Sequence, residues 1–69
     1  MNGLRTNRLV TKALRIAEMR LGIDVLAEKL NASVGEIIAW RMGHAVMPER
    51  KWLKLVDILL DLDPEWITR

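Results

Sequence analysis

The stretch Leu26-Ala27-Glu28-Lys29-Leu30-Asn31-Ala32-Ser33-Val34-Gly35-Glu36-Ile37-Ile38-Ala39-Trp40-Arg41-Met42-Gly43 decides how this chain folds. Asp24 stands ahead of it as an N-cap with Glu28 close behind, which predicts a short helix over 24–30. Asn31 follows, one of the few non-glycine residues that tolerates the left-handed backbone a tight turn needs. Ser33 and Glu36 form the S-x-x-E pattern of a capping box and open a second helix over 33–42, ended by Gly43. Two short helices joined by three residues cross steeply, so the side chain at the crossing must be small. Ala27 is that residue, and Leu26, Leu30, Ile37 and Trp40 fill the wedge between them.

Working outward, Val10, Ala13, Leu14, Ala17 and Leu21 recur at helical spacing over 6–21, with Arg8, Lys12 and Arg15 on the other side. Gly22 stops that helix. After a loop over 43–47, Pro48 and Glu49 start a fourth helix over 48–61. Asp63-Pro64-Glu65 is a further start signal, for a short fifth helix over 64–68 carrying Trp66 and Ile67. No stretch alternates apolar and polar residues long enough to make a sheet. The expected architecture is all-α, with five helices in one domain over 6–69, behind a flexible basic arm over 1–5.

A chain of 69 residues holds one core at most, and 51% hydrophobic content is enough to fold it. There is no cysteine and one histidine, His44, which excludes disulfides, thiolate chemistry and multi-histidine metal sites. No apolar run approaches the roughly 20 residues a membrane-crossing helix needs. Met1 to Arg8 is polar and basic with no apolar segment after it, so no secretory leader and a cytoplasmic location are expected. Asp57 and Asp61 share a helix face, but no nucleophile or base stands near them, so neither catalysis nor a cofactor is expected. The net charge of +2 hides a basic front, +4 over residues 1–22, and an acidic back, −3 over residues 55–69. Such polarity orients a molecule on a polyanion or on another copy of itself.

The small residue Ala27, the turn at Asn31, the cap Ser33, then Ile37, Trp40, Gly43 and Pro48 resemble the lambda-repressor-like (Cro/XRE-type) helix-turn-helix domains. The likeness spans nearly the whole chain, with residues 24–42 as the helix-turn-helix unit, and Asn31 departs from the family's usual glycine. It implies a DNA-binding transcriptional regulator whose second short helix enters the major groove of double-stranded DNA. With Ile37 inward, Ser33, Val34, Trp40 and Arg41 lie within about 60° of it, leaving Gly35, Glu36, Ile38, Ala39 and Met42 outward. That face has no Arg, Lys, Asn or Gln, the usual readers of base edges. Glu36 can accept from a cytosine amino group, and Ala39 or Ile38 can touch a thymine methyl.

The expected DNA-contacting set is therefore Ser33, Gly35, Glu36, Ala39, Arg41, Met42, His44, Arg50, Lys51 and Lys54, acting mainly on phosphates, with Arg5 and Arg8 as a basic arm. The alternative is a protein-binding adaptor or inhibitor that keeps the fold and uses an apolar patch of Ile38, Met42, Val46 and Met47. The fourth helix is apolar on more than one face. This predicts a homodimer through Leu55, Ile58, Leu59, Leu62 and Trp66.

Overall fold

In a computed structural model, which describes the backbone of residues 2–68 and the side chains of residues 8–68, the chain forms four α-helices and, among the described residues, no strand. They are α1 (Asn2–Leu21), α2 (Ile23–Leu30), α3 (Val34–Met42) and α4 (Glu49–Leu62). α1 is the spine. Its predicted stripe of Val10, Ala13, Leu14 and Ala17 is buried, and it packs against all three other helices, whereas α3 and α4 make no close backbone approach. α1 starts at Asn2 rather than Thr6, so the backbone of 2–5, expected as a flexible arm, continues the helix. Met1 and the side chains of residues 2–7, Arg5 among them, lie outside the described residues.

Gly22 joins α1 to α2. Its N–H donates to the Glu18 carbonyl at 2.8 Å, closing α1, while its own carbonyl accepts from Leu26 at 3.0 Å and opens α2. Its φ of 87° allows both. Gly22, not Asp24, is therefore the N-cap, and Asp24 sits in the first turn where a negative charge suits the helix end.

The elbow between α2 and α3 follows the local signals closely. Asn31 takes the left-handed conformation (φ 53°, ψ 50°). Its N–H bonds the Glu28 carbonyl at 3.1 Å and the Ala32 N–H bonds the Ala27 carbonyl at 2.9 Å, the paired closure of a Schellman motif. Ser33 Oγ then accepts from the Glu36 N–H at 3.0 Å, and Glu36 Oε1 accepts from the Ser33 N–H at 2.9 Å. Ala27, Ile37 and Trp40 line the inside, all buried. At the far end of α3, Gly43 and His44 repeat the closure onto Trp40 and Ala39 at 3.2 and 2.8 Å.

Pro48 is the N-cap of α4 rather than its first residue, accepting from the Trp52 N–H at 2.9 Å. The predicted fifth helix is absent. Residues 64–68 form turns in which Trp66 bonds back to the Asp63 carbonyl (3.0 Å) and Thr68 to that of Glu65 (3.1 Å). Five residues are too few to extend a helix beyond its unfavourable nucleus. The start signal serves instead to turn the chain, with the buried Asp63 carboxylate accepting from the Glu65 N–H at 3.3 Å. This seats Trp66, fully buried, edge-on to Trp52 with ring centroids 6.2 Å apart.

Asn31→Gly should leave stability nearly unchanged, while Asn31→Ala lowers it by about 1 kcal/mol, because alanine is strained in the left-handed region. Urea denaturation followed by circular dichroism measures both; equal stabilities would mean the turn does not depend on that backbone state. Ala27→Leu should cost about 1–3 kcal/mol by overfilling the crossing.

Candidate nucleic-acid interface

Several of the basic residues are already engaged by the fold. The last carbonyls of a helix lack partners, and cations suit that end of the helix dipole. Lys51 Nζ donates to the Leu30 and Asn31 carbonyls at 2.8 and 3.1 Å, closing the end of α2 from α4. Arg20 donates to the Leu62 carbonyl at 3.3 Å at the end of α4, and Lys12 to the Ile67 carbonyl at 3.4 Å. Arg41 pairs with Glu18 at 3.5 Å, and its carbonyl accepts from the Thr11 hydroxyl at 3.1 Å. Two members of the expected DNA-contacting set, Arg41 and Lys51, are thus structural ties. Arg41 lies beside the inward face of α3 and so meets α1, while Lys51, in the first turn of α4, reaches the end of α2.

Three other cations converge without internal use. Lys29, Arg50 and Lys54 carry no hydrogen bond or ion pair among the described residues. Together with Leu30, Asn31, Pro48 and Lys51 they line a cleft of about 360 Å³ between the end of α2 and the start of α4. The Lys51 ammonium adds its charge to that cleft while bonded to its wall. Asn31 lies in the lining, and Ser33, which caps α3, is two residues further on, so the positive field borders the start of α3. Lys29 was outside the expected set. It sits on the solvent side of α2, far from Arg50 and Lys54 in sequence, and only the packing of α2 on α4 brings the three together.

On α3, Gly35, Glu36 and Met42 are exposed, whereas Ile38 and Ala39 are half-buried. A side chain at Gly35 would meet only Ser33 Oγ, at 3.8 Å, so the backbone there is open to close approach. Glu36 has one carboxylate oxygen committed to the cap, and the Ser33 oxygen accepts in return, leaving the hydroxyl proton to donate outward. His44 is exposed in the following loop. The expected apolar patch is smaller than its sequence suggests. Met47 turns into the core, and of the rest only Met42 and Val46 stand well into solvent.

The expected dimer set also changes. Leu55, Leu59 and Trp66 are fully buried within the single chain, as members of its own core, and Ile58 and Leu62 are half-buried. The exposed leucines of α4 are Leu53 and Leu60.

No group of three or more potential metal ligands exists among the described residues, and none of the described helices is long and apolar enough to cross a membrane. Comparison with known proteins found no match: no family model, no curated protein and no solved structure matches the chain.

Lys51→Met should lower stability by about 1 kcal/mol, since it removes hydrogen bonds from a charged donor to the elbow at a partly solvated site. Lys54→Met should stay within about 0.5 kcal/mol of the wild type. Paired urea titrations separate the two, and an equal loss would contradict the division of cations drawn from the geometry.

Proposed function

We propose that this chain is a small DNA-binding regulator of the lambda-repressor-like helix-turn-helix type. Its grip on duplex DNA is through phosphates at the Lys29–Arg50–Lys54 cleft, the Ser33 hydroxyl and His44, with α3 at the major groove. The observation that carries this reading is the convergence of three internally unused cations beside the capped start of a short, exposed helix. Phosphate contacts of this kind hold a protein in register without reading sequence. The outward side chains of α3 (Glu36, Ala39 and Met42) supply little base-edge hydrogen bonding, so specificity would rest on apolar contacts and DNA shape. The role is non-catalytic and cytoplasmic. The adaptor reading draws less support, because burial of Met47 and partial burial of Ile38 leave Met42 and Val46 without a continuous apolar surface.

Fluorescence anisotropy on a random-sequence duplex tests this. Binding should weaken linearly in log–log terms with salt, with a slope of about −0.9 per phosphate neutralised. Lys29→Ala, Arg50→Ala and Lys54→Ala should each weaken binding on every sequence and flatten the slope by about one unit. Met42→Ala combined with Val46→Ala changes no charge and should not flatten it. Absence of binding at low salt by a protein with full helical content would overturn the proposal.

A further inference from the structure

α4 closes the core with Leu55 and Leu59 but leaves a second apolar stripe outside it. Leu53 is 56% and Leu60 45% exposed, with Val56 half-buried between them. Seven residues separate the two leucines, about 10.5 Å along the axis, and the three side chains lie within about 60° on the helix surface. A helix that serves only its own core needs one apolar stripe.

Charge runs along the flank of that stripe. Arg50 and Lys54 lie in the N-terminal half of α4 and Asp57 and Asp61 in the C-terminal half, all four exposed and within about 60° of one another around the helix. None of the four has a hydrogen bond or ion pair among the described residues. A helix that is basic at one end and acidic at the other along one flank is complementary to itself only when turned end for end.

We infer that a second copy of this chain covers this face, the two α4 helices running antiparallel about a two-fold axis near Val56 and Asp57. Leu53 of each protomer then packs on Leu60 of the other, and Arg50 and Lys54 face Asp61 and Asp57 across the seam. A parallel pair, whose two-fold axis runs along the helices, would leave the two charged flanks on opposite sides of the seam, so the charges select the orientation as well as the occupant. One helix pair buries less than the roughly 800 Å² per partner of a stable interface, so the dimer forms at micromolar concentrations and above, not at nanomolar ones. This pairing stands whether or not the chain binds DNA.

Sedimentation equilibrium of the full chain, without DNA and up to about 100 micromolar, is the test. The wild-type mass should rise towards two protomers, and Leu53→Ser with Leu60→Ser should stay at one while keeping its helical circular dichroism. Asp57→Lys with Asp61→Lys makes the flank wholly basic, and Arg50→Glu with Lys54→Glu makes it wholly acidic. Each variant alone should be monomeric, and a one-to-one mixture of the two should restore the dimer. A wild type that stays monomeric throughout, or charge-reversed variants that associate like the wild type, would overturn the inference. Because no DNA is present, a failure here leaves the duplex-binding proposal to its own test.

Discussion

The three residues from Asn31 to Ser33 carry the constraint on which the molecule depends. α2 has eight residues and α3 nine, each too short to persist in water by itself. They hold because every end at the elbow is closed: the left-handed turn at Asn31 returns the Asn31 and Ala32 N–H groups to α2, and the reciprocal Ser33–Glu36 pair opens α3. With the backbone so turned, Ala27 can sit at the crossing and Ile37 and Trp40 can reach the core laid down by α1. Lys51 adds a tie from α4 onto the next two carbonyls, those of Leu30 and Asn31, so three helices meet at one point. The cleft is a consequence of that meeting, because the side chains flanking Lys51 on α4 are brought up against the end of α2.

A small helical domain spends much of its polar chemistry on helix ends, and this one spends cations. Arg20, Lys12 and Lys51 all donate to carbonyls that the backbone cannot satisfy, and Arg41 is drawn to Glu18. A modest net charge therefore understates how selective the surface is. The cations left without an internal partner are local, at Lys29, Arg50 and Lys54, and it is their position, not the total of +2, on which the proposed function rests.

The parts of the fold that were legible in the sequence are those with a local cause. Asn31, the S-x-x-E pair and Gly43 act within a few residues of themselves, and the 3.6-residue stripe of α1 identifies its buried side without knowledge of what covers it. The misread parts depend on partners distant in the chain. Periodicity marks Leu55, Leu59 and Trp66 as apolar but not what buries them, and the chain's own core does so in place of a second copy. Met47 lies in a loop with no period to follow. Asp63-Pro64-Glu65 is a sound start signal attached to too short a segment. The functions of Lys51 and Arg41 were hidden for the same reason as the membership of Lys29, since each turns on a group that only the tertiary packing supplies.

Arg50 and Lys54 stand at the point where the two uses of α4 meet. On the proposed function they face a phosphate chain in the cleft; across the inferred antiparallel seam they face Asp61 and Asp57 of another protomer. A cation fully engaged by a carboxylate has little field left for a phosphate, so at any one protomer the two engagements oppose each other. Screening by salt weakens both, but the apolar contact of Leu53 with Leu60 survives it, so raising ionic strength shifts the balance from phosphate towards the second copy. α4 thus repeats within its four turns the basic-then-acidic order of the whole sequence, and on the two proposed readings this sets a polyanion in competition with the acidic half of a second copy.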